Sequence, residues 1–310
     1  FVRGRSLLPS TEAYAFLLMV MGLLVGMLGL ASKENAIMVI PLAIIIEYVV
    51  FIRHTLPRQT QNRLRIFYLV TIGVTLFTAL LWLYFNPALL LKSYDTRDFT
   101  LVERLFTESR MLWFYLYLLI IPRLSVLSLF HDDISVSRSL FDPVTTIISI
   151  AGIAVFILAA VRLRHRFPLI SLGVLWFFVA HALESSIFGL ELAHEHRNYL
   201  PSIGYMLLVC CGISTIASRF SRPSLAIIVT GGLATILGVT TFARAAICSD
   251  EQHLLSHAVE NHPASPRSQY MYGEYLLARV SSPWAAIARF NEAARLAPTE
   301  PAYFIAMQRA

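Results

Sequence analysis

Residues 13–31 read AYAFLLMVMGLLVGMLGLA, nineteen residues without a single charge. A helix of that length rises about 28 Å, close to the ~30 Å hydrocarbon core of a bilayer. Six more apolar runs follow, at 36–52, 66–85, 143–161, 167–183, 202–217 and 225–242. Lipid offers no partner to an unpaired backbone group, so such runs cross as helices. The expected fold class is therefore all-α: a polytopic helical membrane protein with about seven spans. An eighth run, 111–121, is about half the needed length and is stopped by Pro122 and Arg123. It predicts a re-entrant or interfacial helix.

Composition agrees with this reading. Of 310 residues, 57% are hydrophobic and 14% charged, where a soluble domain carries about 25% charged residues. That excludes a soluble enzyme for most of the chain, and it excludes disorder. The net charge of +6 does not point to nucleic acid, because the cations sit in short loops between apolar runs. Three cysteines, two of them the adjacent Cys210 and Cys211, make no disulfide framework. If 111–121 does not cross, the segments 1–12, 53–65, 162–166 and 218–224 share one side and hold 11 Lys/Arg in 37 residues. Arg3, Arg5, Arg53, Arg58, Arg63 and Arg65 are among them. The opposite segments 32–35, 86–110, 122–142 and 184–201 hold 8 in 68 residues. The positive-inside rule makes the first set cytoplasmic. The second set, with 11 of the 19 carboxylates, is then the outer face where chemistry is sought. The C-terminal part also falls outside.

Residues 243–310 turn polar and amphipathic. Ala286, Phe290, Ala293 and Pro298 have the spacing of late positions in a 34-residue tetratricopeptide repeat. Small residues there let two helices approach, Phe290 fills the gap between them and Pro298 ends the second helix. Tyr272-Gly273 matches the first-helix signature one residue out of register, which implies an insertion near 280–283. The chain thus divides into a transmembrane domain, 1–242, and an outer-face helical region, 243–310, that begins a repeat array. One repeat cannot bury its own faces, so more repeats are expected beyond Ala310. With Phe1 in place of a Met, the chain reads as a fragment truncated at both ends.

Three polar stretches could carry chemistry. Ser32-Lys33-Glu34-Asn35 is a tight turn between two apolar runs. Either its charges are snorkelling anchors, or Lys33 meets the phosphate of a lipid-linked donor as a compact point charge. Glu34 would then hold Lys33 or a metal ion. The stretch ESSIFGLELAHEHRNYLPSIG (184–204) gathers Glu184, Glu191, Glu195, His194, His196 and Arg197 beside the membrane. Two histidines at i, i+2 under-supply a zinc site. An anion site suits the stretch better: Arg197 grips a phosphate with paired donors, His196 donates, Glu195 orients Arg197, and His194 and Tyr199 support. A solvated loop with anchoring charges is the plainer alternative. The third stretch, His131-Asp132-Asp133, offers paired carboxylates as a weak metal site or a loop cap. Arg110 is a further candidate anion contact. Glu47 and His181 are ionisable groups inside apolar runs, and such groups mark functional positions unless they snorkel.

The turn SKEN (32–35), the segment RMLWFYLYLLIIP (110–122) and EHRNYLPSIG (195–204), followed by a repeat region, resemble a known family. They are similar to the transmembrane and tetratricopeptide-repeat-containing O-mannosyltransferases and their bacterial relatives. EHRNYLPSIG is the most specific of these pieces. The resemblance implies a GT-C glycosyltransferase fold and transfer of a sugar from a polyprenyl-phosphate carrier to a protein hydroxyl on the periplasmic or lumenal face. It implies donor-phosphate contacts at Lys33 and Arg197, to which the residue reading adds His196 and Arg110, with membrane lipid and an acceptor protein as partners; the charge map points to no nucleic acid. A divalent cation is the one cofactor the carboxylates suggest. A bacterial inner membrane with a periplasmic C-terminus is the expected location. Animal members place Glu and Arg side by side, whereas His196 separates Glu195 from Arg197 here, which implies a rearranged anion site. The family's catalytic carboxylate lies in a first outer loop with no matching segment in this chain, so the general base is unassigned and the chain alone is expected to be inactive. An O-antigen ligase or polymerase type of enzyme, with one dominant outer loop, and a non-catalytic membrane-anchored repeat scaffold are the competing expectations.

Overall fold

The computed structural model describes residues 1–51, 56–87, 92–95 and 97–310. Arg53 and Ile52, counted above in a basic loop and an apolar run, lie outside the described residues. Thirteen α-helices and no strand occur among the described residues. In chain order they are α1 Val2–Leu7, α2 Glu12–Leu30, α3 Val39–Val49, α4 Arg58–Phe85, α5 Leu101–Ile120, α6 Thr145–Leu163 and α7 Pro168–His181. Then come α8 Tyr199–Arg219, α9 Pro223–Cys248, α10 Glu251–Asn261, α11 Pro266–Ala278, α12 Pro283–Leu296 and α13 Pro301–Arg309. Short 3-10 turns at Glu34–Met38, Lys92–Tyr94 and Glu195–Asn198 punctuate them.

Among the described residues, five helical stretches are long and apolar enough to cross a membrane: Glu12–Leu30, Arg58–Phe85, Thr145–Leu163, Glu195–Arg219 and Pro223–Cys248. Their flanks are open. In α4, Leu69, Phe77 and Leu80 are each at least 65% exposed, and in α9 Ile227 and Phe242 exceed 75%. Water would penalise that much bare apolar surface, whereas hydrocarbon accepts it. The run at 36–52 is not one long helix. It opens as a 3-10 turn and becomes the eleven-residue α3 only at Val39. Pro41 explains the late start, because a proline is tolerated only in the first helical turn. The run at 167–183 shrinks likewise to the fourteen residues of α7, with Pro168 at its start. These rise about 17 and 21 Å, short of a full crossing. The eighth run is also redrawn. It is the C-terminal half of α5, a twenty-residue helix that begins at Leu101 with charged residues in its first half.

The chain separates into two compact units, each assembled from distant segments. The first comprises Phe1–Leu105, Ile147–Leu190 and Tyr199–Gly212. In it α3 packs on α7, and Ile45, Val49, Ala160 and Leu175 form a buried cluster. Met38, Leu42 and Ala180 form another. Helices α7 and α8 meet at two glycines: a Cβ on Gly173 would lie 2.8 Å from the Gly204 carbonyl oxygen. Small residues at such a crossing let backbones approach in lipid. Arg5, on α1, is 2% exposed and grips Glu47 of α3 with both arms, at 2.6 and 2.8 Å. The Tyr68 hydroxyl donates to the same carboxylate at 3.2 Å. Glu47 is thus neither a free intramembrane charge nor a snorkelling anchor.

The second unit comprises Phe106–Thr146, Glu191–Asn198 and Ile213–Ala310. Helix α9 runs past the expected boundary at 242 to Cys248. Helices α10 to α13 then pack in sequence order, each on the next. Their starts are written in the sequence. Asp250 accepts from the His253 amide and caps α10, Ser265 caps α11, and Pro266, Pro283 and Pro301 each open a helix. Between α11 and α12, Ala286 and Phe290 are fully buried, and a Cβ on Gly273 would meet the Phe290 ring at 2.6 Å. The connection between these helices holds Ser281 in the left-handed region, φ 53°.

Candidate functional site

In the first unit α2 ends at Leu30, and the amides of Ser32 and Lys33 both return to the Gly29 carbonyl, at 3.0 and 2.9 Å. Lys33 is extended and exposed, with Glu34 exposed beside it. Among the described residues no hydrogen bond or ion pair ties Glu34 to Lys33, so the expected pairing of the two is absent; solvation satisfies both exposed charges. It is Asn35 that fixes the turn, by donating its amide to the buried carboxylate of Glu184. The turn and the start of the 184–204 stretch are thereby joined across 149 positions.

Glu184 sits in a loop organised by Arg104, which is fully buried. Its guanidinium donates to the carbonyls of Glu184 at 2.7 Å, Leu190 at 2.5 Å and Ser186 at 3.2 Å. A planar fork with fixed donors suits three converging carbonyls, and lysine would not replace it. Arg97 adds a hydrogen bond to the Gly189 carbonyl at 3.2 Å. Directly after the SKEN turn, Ala36 helps to line an apolar groove of about 300 Å³, with Leu23, Met27, Leu30, Val70 and Val74. Three threonines on the α4 wall, Thr71, Thr75 and Thr78, turn their hydroxyls back onto their own helix. The groove therefore presents an apolar wall.

The remaining sequence candidates belong to the second unit, except His181, buried at the end of α7, and Tyr199, which opens α8 and is 82% exposed. Arg197 is buried and donates to the Glu191 carbonyl at 2.6 Å and to the Tyr115 hydroxyl. Tyr115 in turn receives the His194 amide at 2.9 Å, and its carbonyl accepts from Asn198 at 2.8 Å. Part of the Arg197 guanidinium thus shapes its own loop. The His194 ring lies 4.1 Å from that of the exposed His196. Burial, then the charges of His196 and Arg197, hold the His194 pKa below the ordinary imidazole value. Glu195 does not orient Arg197 as expected. Its carboxylate accepts from the Ser128 amide at 2.6 Å and lies 3.4 Å from His131 and 3.6 Å from Arg244. Arg110 holds the loop after α5: it donates to the Ser135 carbonyl at 2.8 Å and to the Ser137 hydroxyl at 3.2 Å.

Asp132 and Asp133 do not act as a carboxylate pair. Asp132 accepts from the Ser265 hydroxyl and, at 3.0 Å, from the Arg267 amide, so it caps the start of α11. Asp133 turns to His262, whose Nδ1 lies 2.8 Å from its Oδ2. Hydrogen bonding to Asp133 pushes His262 up; for Asp133, burial would raise the carboxyl, but the contact with His262 holds it below its ordinary value. His131 packs its ring 5.5 Å from His262, edge to face.

Sequence reasoning missed Arg104, which looked like one more loop cation, and His262, which lay in a region read only for helix packing. The Thr100–Glu103 capping box does announce the start of α5. The Thr100 amide donates to Glu103 at 2.8 Å, and the Glu103 amide lies 3.3 Å from the Thr100 hydroxyl. No spacing rule announces the His262 pairing. No family model, curated protein or solved structure matches the chain.

Proposed function

We propose that the chain belongs to a membrane glycosyltransferase that moves a sugar from a polyprenyl-phosphate carrier to a protein hydroxyl on the outer face. One observation carries the reading. A polar turn bearing the exposed Lys33 is pinned by Asn35 to Glu184 and opens directly onto an apolar groove. An isoprenoid chain suits that groove, and its phosphate suits a lysine at the turn. Charge stabilisation of the departing phosphate is strong where water is scarce. Arg197, His196 and Arg110 are proposed as further anion contacts. Arg110 would act beside its loop-shaping bonds.

The proposal includes the finer architecture. The short α3 and α7 join the five long stretches as a seven-span bundle of the GT-C type, with the basic loops cytoplasmic. Helices α11 and α12 then form an outer-face tetratricopeptide repeat that receives the acceptor protein. The spacing of Gly273, Ala286, Phe290 and Ala293 and their packing support that assignment.

The test uses the gene that encodes the chain, in a host lacking its native copy. Wild type, Lys33→Ala and Arg197→Ala are expressed at equal levels, and intact masses of envelope proteins are compared. The expected result is a hexose-sized mass loss on deletion, restored by wild type and by neither variant. Unchanged masses, with envelope complexes falling apart instead, would sink the transferase reading in favour of a membrane-anchored scaffold.

A further inference from the structure

Among the described residues, His131, Asp133 and His262 bring one donor atom each to within 4.8 Å of one another. His131 is 6% exposed and His262 9%. Two imidazoles and one carboxylate are the donor set of zinc-class sites, where protein atoms sit about 2.0–2.2 Å from the ion and therefore roughly 3.3 Å apart. The cluster needs to close by little more than side-chain rotation.

A second observation points to a ligand. His262 Nε2 is buried and lies near the Val126 carbonyl, the kind of contact that orients a metal-bound imidazole. His262 Nδ1 and Asp133 Oδ2 lie 2.8 Å apart, so both can face one ion. Glu195 Oε1 lies 3.4 Å from His131 Nε2, so a further oxygen donor is at hand. The carboxylate is itself held by the Ser128 amide and by Arg244.

We infer that His131, Asp133 and His262 form a binding site for one zinc-class divalent cation, with Glu195 or water completing its shell. The ion would staple the loop after α5 to the C-terminal end of α10, residues 129 positions apart. Nitrogen donors disfavour Mg²⁺ and Ca²⁺, which take oxygen shells. The inference does not depend on the transferase reading, and either can fail without the other.

The chain is purified in detergent, stripped with chelator and dialysed. Zn²⁺, Mn²⁺ and Mg²⁺ are then titrated separately by calorimetry and by Tm, and bound metal is counted by elemental mass spectrometry. The expected result is one equivalent of Zn²⁺, a raised Tm and little response to Mg²⁺. His131→Gln and His262→Gln should each weaken Zn²⁺ binding by more than about tenfold. His253→Gln, an exposed histidine on α10, should not. Visible absorption of the Co²⁺-loaded wild type gives a readout that needs no variant to fold: intense d–d bands of a low-coordinate site support the inference. It is overturned if wild type retains no stoichiometric Zn²⁺ and its Co²⁺ spectrum is that of the hydrated ion, which would leave a proton-bridged His262–Asp133 pair alone. Equal binding by all three variants would also overturn it.

Discussion

A buried charge is tolerable only when its partner is present, and Arg5 and Glu47 are a direct case. Arg5 is 2% exposed and meets Glu47 through two hydrogen bonds. Glu47→Gln should cost about 3 kcal/mol, because it leaves the guanidinium buried without its counter-charge. The double change Arg5→Met/Glu47→Leu should recover most of that loss, since a packed apolar pair often matches a buried ion pair. Scanning calorimetry in detergent checks both; equal Tm for wild type and Glu47→Gln would refute the argument. His194 supplies a pH dependence. Its folded pKa lies below the ordinary value of about 6.5, through burial first and the neighbouring positive charges second. The folded chain therefore binds that proton more weakly than the unfolded chain. The contribution of His194 is whole above about pH 6.5 and is lost as pH falls toward the folded value. His194→Gln should flatten the fall of Tm between pH 6.5 and 5, and an unchanged slope would exclude the residue as the cause.

Elements show how local signals met tertiary ones. The helices of 266–278 and 283–296 were legible because a small residue faces an aromatic one, and Gly273 does lie against Phe290. Gly273→Ala should destabilise by about 1–3 kcal/mol, since the new methyl would need the space the ring occupies. Urea unfolding of the chain in detergent, followed by tyrosine fluorescence, measures it, and a neutral result would mean that the two helices part easily. Apolar length was legible too, because a run needs no partner to be counted. It misjudged 36–52, where the helix starts only at Val39 with Pro41 in its first turn, and 167–183, where the helix stops at His181. It also missed the front of α5, where Glu103, Arg104 and Glu108 disguise a capped helix as a polar loop. At the candidate site the residue types were legible but their partners were not. Glu195 looked like a partner for Arg197 two positions away, yet it is satisfied by Ser128, Arg244 and His131. Contacts between segments about 50 to 130 positions apart leave no trace in local spacing.

For the whole molecule, the unequal lengths of its helices matter most. Helices α4 and α9 rise about 42 and 39 Å, whereas α3 and α7 rise about 17 and 21 Å and pack against each other. Mismatch between a helix and the surrounding hydrocarbon costs fractions of a kcal/mol per ångström. The chain should therefore be more heat-stable in bilayers of shorter acyl chains than in long ones, as read by Tm in nanodiscs of graded thickness. A flat dependence would mean that the long helices screen the short pair completely. With the short pair spanning as proposed, the acyl composition of the surrounding membrane becomes an adjustable input. A cell that lengthens or shortens its lipids with temperature would be retuning this protein at the same time, with no messenger other than thickness.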